Sequence, residues 1–290
     1  MFFLKLVKSM LQSTYSTNKM QIILALTALT LFIVAYIPVF QFLGEKWLVS
    51  EEYSHSFIVV PFIFYMAWRK LPVILEGPIR YSIFGLVILI FSIPIYLFAW
   101  LTQVHTIISL SLFLTIIGVI IYLAGVKGVK ELCTPLILLV MVIPIPEQLY
   151  IQITFPLQLK VSQISEIVIR IFGVPIFREG NIMNIPEKSF EVVEACSGLR
   201  SMITILTLSV IMDYFMLRKT YSKLVLFIMG VPVAIFVNII RVISIVLLFH
   251  YFKLDLSAGI WHTIMGLLIF CIALLILFLL QRVLEIWEKE

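Results

Sequence analysis

The sequence predicts an all-α polytopic membrane protein of about eight transmembrane helices, with a small extracytoplasmic segment of amphipathic helix and β-hairpin ahead of span six. Three observations predict it. Of 290 residues, 62% are hydrophobic and only 13% charged, with a mean hydropathy of +1.14. In lipid, backbone polar groups must be satisfied inside helices, and this composition matches that solvent rather than water. The apolar runs are continuous instead of alternating, which excludes a β-barrel. Lys and Arg, finally, gather in alternate loops. The net charge of +5 therefore belongs to membrane-flanking loops and not to a nucleic-acid surface.

Eight segments approach the ~20 residues that a ~30 Å hydrocarbon core requires. They run roughly 22–43, 55–68, 82–101, 104–126, 132–146, 197–217, 223–250 and 259–281. The second and fifth are short and also fit a re-entrant or tilted piece. The first is too long for a signal-peptide core and precedes no small-residue cleavage pattern, so it reads as a span. Pro38, Pro61, Pro94, Pro135, Pro144 and Pro232 lie in or near spans, where neighbouring helices can re-satisfy the freed backbone. No repeat, low-complexity tract or tail domain is visible, so residues 1–290 read as one membrane-embedded domain.

Orientation follows the basic residues. Lys5, Lys8, Lys19, Arg69, Lys70, Arg80, Lys127, Lys130, Arg218, Lys219, Lys223, Arg282 and Lys289 fall on one side. Lys46, Lys160, Arg170, Arg178, Lys188 and Lys253 fall on the other. Thirteen against six places both termini in the cytoplasm of a multi-pass cell-membrane (inner-membrane) protein. The long outer segment is then 147–195. Its first half spaces Ile151, Phe155, Leu159, Ile164, Ile167 and Ile171 among Gln152, Gln158, Lys160, Gln163, Glu166 and Arg170, an amphipathic helix on the outer face. Its second half has Gly173, Pro175, Gly180, Asn181 and Pro186 around short β-like runs, a small hairpin leading to Cys196.

Cys196 carries the chemistry. It starts an apolar run in Glu191–Ser201, with Gly198 allowing close backbone approach and Arg200 a turn further on. At 1.5 Å per residue from the cytoplasmic ends, Cys196 lies at about 33 Å, Arg241 at about 27 Å and His262 at about 30 Å. A thiol, a guanidinium and an imidazole from three consecutive spans thus share one level near the outer boundary. Arg200 and His105 reach the same level and compete for the two supporting roles. Arg241 is costly inside a span and must face protein or a polar cavity, and Asn238, one turn before it, can orient it. Cys133 and Cys271 read as small buried hydrophobes. The three cysteines match neither a disulfide nor a metal-ligand spacing, and no metal or cofactor is expected. The set fits acyl transfer: a thiolate attacks a peptide carbonyl, an imidazole moves protons and a guanidinium stabilises negative charge.

Ala195-Cys196-Ser197-Gly198-Leu199-Arg200-Ser201, then Asn238-Ile-Ile-Arg241, then His262 with Gly266 four residues on, resembles the exosortase/archaeosortase family. Tyr53-Ser54-His55, Ile143-Pro144-Ile145-Pro146 and the stretch from Gly173-Val-Pro175 to Gly180 look alike too, and the likeness runs from about residue 20 to 280. It departs at Ser56, where many relatives carry glycine. The extra C-terminal domain of some exosortases is not expected after span eight. The resemblance implies a membrane cysteine-type peptidase and transpeptidase. Its partners would be exported proteins bearing a C-terminal sorting signal of short motif, transmembrane helix and basic cluster, and a surface acceptor such as a polysaccharide or lipid. By position Cys196 matches the nucleophile, Arg241 the catalytic arginine and His262 the catalytic histidine, at the extracytoplasmic face. Arg200, Asn238, Ser197 and Gly198 fall to supporting places. The reading from another class is a transporter or export-machinery component using Arg241 and Asp213. The absence of repeats and of paired broken helices speaks against it.

Overall fold

A computed structural model describes residues 19–50, 52–75, 81–191, 199–257 and 259–289. It contains, in order, α1 Lys19–Val49, α2 Ser56–Leu75, α3 Ile83–Leu101, α4 His105–Glu131, α5 Cys133–Met141 and α6 Glu147–Ile171. Strands β1 Phe177–Glu179, β2 Ile182–Ile185 and β3 Lys188–Glu191 follow, then α7 Leu199–Met216, α8 Thr220–Phe252 and α9 Gly259–Lys289. The chain divides into two compact units after Glu45. The first carries most of α1, where Thr30 Oγ1 donates to the Leu26 carbonyl and so meets its polar need inside the helix. The packing and the site described below belong to the second.

The polytopic all-α reading agrees with these elements. Among the described residues six helices are long and apolar enough to cross a membrane: α1 to α4, α8 and α9. The other two expected spans are shorter, α5 with nine residues and α7 with 18. Outward faces are apolar, as lipid demands: Phe64, Phe84, Phe91 and Leu267 all expose most of their surface. Helices α3 and α4 make the tightest pair. A Cβ on Gly85 would lie within 3 Å of the Tyr122 and Gly118 backbones, so the two backbones nearly touch, the usual role of small residues between membrane helices. Thr115 Oγ1 donates to Ser92 Oγ across the same seam at 3.0 Å.

Helix α8, 33 residues long, is the spine. Its first half packs Leu226, Val233, Ala234 and Val237 against Ile205 and Leu217 of the α7 arm and Ile269, Ala273 and Leu277 of α9. Its second half packs Val242, Ile245 and Val246 against Val161 and Ile169 of α6 and Met183, Ile185 and Phe190 of the strands. Arg241 sits where one core hands over to the other.

Helix α6 forms where an amphipathic helix was expected, and its faces are inverted relative to a soluble helix. Tyr150, Thr154, Gln158, Val161, Ser165 and Ile169 are its buried side, while Ile151, Phe155, Ile167 and Ile171 are exposed. The expected hairpin is a three-stranded antiparallel sheet in the order β1-β2-β3, with Met183 opposite Phe190 and Phe177 opposite Asn184. The third strand is only four residues, Lys188–Glu191, with Phe190 its one buried side chain, too short to give a period of its own. Cys133 and Cys271 are corrected: both are exposed on their helices. A thiol is apolar enough to face lipid as readily as a core.

Candidate active site

Helix α8 brings Arg241 to the seam between its two packed halves, and the turn after Phe252 sends α9 back along it. The turn is built by Lys253, in the left-handed region at φ 55°, whose N–H returns to the Phe249 carbonyl. Ten residues after Phe252, His262 faces Arg241, and Arg241 Nη2 lies 2.7 Å from His262 Nε2. A guanidinium only donates, so Nε2 presents its lone pair and the imidazole is neutral with its proton on Nδ1. Arg241 Nε and His262 Nδ1 are both buried. A contact this short between a charged donor and a shielded acceptor belongs to the strong class of hydrogen bonds.

Gly266, one turn beyond His262, makes the room. A Cβ there would sit 3.4 Å from Arg241 Nη2 and 3.8 Å from Cζ. The guanidinium therefore lies over a gap in α9, between an imidazole and a bare backbone. Asn238, one turn before Arg241 on α8, is 2% exposed. The structure thus brings together Arg241 and His262, with Asn238 a turn away. Cys196, Ser197 and Gly198 lie outside the described residues, as does the side chain of Arg200. His105 opens α4.

A clamp missed by sequence reasoning holds the two chain segments that lead into this region. Lys188, at the start of β3, donates to Asp255 Oδ2 at 2.6 Å and to Ser257 Oγ at 2.8 Å. Ser257 Oγ and N donate to Asp255 Oδ1 at 2.5 and 3.1 Å. Lys188 also lies 5.3 Å from the ring centres of Phe190 and Phe249. Beside it, Glu187 accepts from Lys253 at 3.0 Å and approaches His250 Nδ1 at 3.4 Å. The Lys188 hydrogen bond and the Ser257 donors hold the Asp255 carboxyl down at about 2. β3 ends five residues before Cys196, and α9 begins two residues after Ser257, so one clamp anchors both. Its signal in the sequence is the charge complementarity of two turns, Glu187-Lys188 and Lys253-Leu254-Asp255.

A second junction joins two stretches about 90 residues apart in sequence. Ile145 N donates to Tyr53 Oη at 2.9 Å, and Trp47 Nε1 donates to the Val142 carbonyl at 3.0 Å. Tyr150 Oη donates to Glu52 Oε1 at 3.0 Å. His55 Nδ1 lies 2.9 Å from the Glu52 carbonyl, which only accepts, so that nitrogen carries the proton. Burial lowers the His55 proton affinity and raises the Tyr53 pKa. Tyr53-Ser54-His55 and Ile143-Pro144-Ile145-Pro146 are two sides of one hydrogen-bonded junction, a structural job for both.

Comparison with protein families gives a match to the transmembrane exosortases over residues 47–279. Neither a curated protein nor a solved structure matches the chain.

Proposed function

The chain belongs to the transmembrane exosortase family, and from that premise we propose that it is a cysteine transpeptidase cleaving a C-terminal sorting signal from exported proteins. The observation that carries the proposal is the 2.7 Å contact between Arg241 and His262, on the two spans that follow the one headed by Cys196. In this reading residues 1–290 act as one membrane-embedded domain, and the reacting groups face the extracytoplasmic side.

Cys196 Sγ is the nucleophile. His262 Nε2 takes the thiol proton, which requires Arg241 to turn its guanidinium from that lone pair toward the thiolate and then the oxyanion. The S–C bond forms at the scissile carbonyl and the tetrahedral oxyanion is held by Arg241. The imidazolium gives its proton to the leaving nitrogen, the C–N bond breaks and the thioester remains. An acceptor hydroxyl or amine, deprotonated by the neutral His262, then attacks the thioester carbonyl, the C–S bond breaks and the imidazolium returns its proton to the Cys196 thiolate. Asn238 supports Arg241, and Arg200, Ser197 and Gly198 are supporting residues of the Cys196 motif.

The test is co-expression with a tagged exported protein ending in a short motif, a transmembrane helix and a basic cluster. Cys196→Ala is expected to leave it unprocessed while the enzyme stays in the membrane, and normal processing by that variant would overturn the proposal. Arg241→Ala and His262→Ala should each lose about 10²–10³-fold in rate. Arg200→Ala and His105→Ala should stay far closer to wild type. The mass of the product distinguishes transfer to an acceptor from simple hydrolysis.

A further inference from the structure

At the far end of α9 from His262, about 39 Å along the helix, lies a cavity of about 650 Å³ between the α7–α8 turn and the last turns of α9. Arg218, Lys219, Arg282 and Lys289 line it, with Glu285 and Glu288. Both carboxylates are already engaged. Glu288 accepts the backbone N–H groups of Arg218 and Lys219, each at 2.9 Å. Glu285 accepts from Arg282 at 2.9 Å and Lys289 at 3.0 Å. The Arg218 and Lys219 side chains make no hydrogen bond or ion pair among the described residues. Lys219 is also the N-cap of α8, and the Glu288 carboxylate on its N–H already meets the positive end of that helix, which leaves the Arg218 and Lys219 side chains as the open charges.

Four cations against two occupied carboxylates leave the cavity positive, which repels a basic peptide and selects an anion. Its setting selects the kind of anion. Phe215 and Met216, which also line it, are exposed to 48% and 40%. Aromatic and apolar side chains next to basic ones mark the level where acyl chains meet head groups. A ligand here can put a phosphate between the Arg218 and Lys219 side chains while its tails lie along Phe215 and Met216.

We propose that this cavity binds the phosphate of an anionic phospholipid head group, at a site separate from the Arg241–His262 pair. Juxtamembrane basic residues attract such lipids, and here four of them are gathered around a defined volume.

The experiment is native mass spectrometry of the full chain purified in detergent and titrated with phosphatidylglycerol or phosphatidylcholine. One phosphatidylglycerol should be retained in preference to phosphatidylcholine. Arg218→Ala/Lys219→Ala should weaken it by roughly thirtyfold, two basic residues' worth, and leaves the backbone donors to Glu288 in place. The control Lys127→Ala/Lys130→Ala should bind as wild type, and millimolar inorganic phosphate should not displace the lipid. Equal retention of the two lipids, equal loss in the control, or unchanged binding by Arg218→Ala/Lys219→Ala would overturn the proposal. Displacement by inorganic phosphate would also overturn it, by assigning the cavity to a soluble anion.

Discussion

Arg241 and Gly266 form a lock whose two halves respond differently to substitution. The guanidinium offers several donors in one plane, so it can leave His262 Nε2, which it holds at 2.7 Å at rest, and present two donors together to the oxyanion. Lysine has a compact ammonium and a different reach. Arg241→Lys is therefore expected to keep the positive charge and lose at least about tenfold in processing rate. At Gly266 the spacing sets a threshold. A methyl group at 3.4 Å from Nη2 is ordinary contact, so Gly266→Ala should process its substrate within a few-fold of wild type. Gly266→Leu must push the guanidinium aside, and a displacement near 1 Å costs about 10²-fold. Equal rates for the alanine and leucine variants in the co-expression assay would show that the gap in α9 does no positioning. Counting residues from one end of each span was enough to put Arg241 and His262 at one height. The function of Gly266 was not legible, because it depends on how α8 and α9 are rotated toward each other, and a linear sequence carries height more directly than rotation.

The strands and the α8–α9 turn make their contribution as elements joined by the Lys188–Asp255 clamp. Its members are 30% and 47% exposed, so solvent screens the pair and its effect on global stability is small. Its effect on geometry is larger, since β3 leads toward Cys196 and the turn leads to His262. Lys188→Ala and Asp255→Ala are each expected to slow processing several-fold, the double variant no more than either, and Lys188→Asp/Asp255→Lys should recover part of the loss. Additive losses in the double variant would show two independent contacts. The pH dependence has a definite sign. Asp255 titrates at about 2 in the fold against 3.8 for a free side chain. Its contribution is full above about pH 4 and is lost as the pH falls through about 2. Thermal unfolding of Asp255→Asn should therefore fall less steeply than wild type between pH 4 and 2. The sequence marked this region with turn residues and an amphipathic period. It did not reveal the third strand, which has four residues and one buried side chain, nor the clamp, whose partners are 67 positions apart.

At the scale of the whole molecule the open quantity is how many times the chain crosses, and it turns on α5. Composition alone was sufficient to recognise a membrane protein, and continuous apolar runs placed six long helices closely, because length and hydropathy are local properties. The second and fifth runs both read as short; the second extends to a 20-residue helix, Ser56–Leu75, and the fifth stays short, where helix length alone cannot show whether a segment is completed by irregular backbone. Nine helical residues rise only about 14 Å, under half of a ~30 Å core. After Met141, however, Val142, Ile143 and Pro144 continue buried, and an extended residue covers about 3.3 Å. Val142 and Ile143 complete the last turn, their N–H groups on the Leu138 and Val140 carbonyls, and the three residues to Pro146 add about 10 Å, so helix and tail together approach the thickness of the bilayer core. Non-helical backbone at that depth survives only where protein satisfies its polar groups. Trp47 does so at the Val142 carbonyl and Tyr53 at the Ile145 N–H. Helix α5 with its proline-rich tail is therefore expected to cross, which keeps the basic loops on one side and makes the number of crossings even. In a background lacking Cys133, Cys196 and Cys271, Lys130→Cys and Glu147→Cys bracket this segment. A membrane-impermeant maleimide added to intact cells should label Glu147→Cys and leave Lys130→Cys unlabelled until the membrane is opened. Labelling of both from outside, or of neither, would make the segment re-entrant and put α6 on the side of the α4–α5 turn.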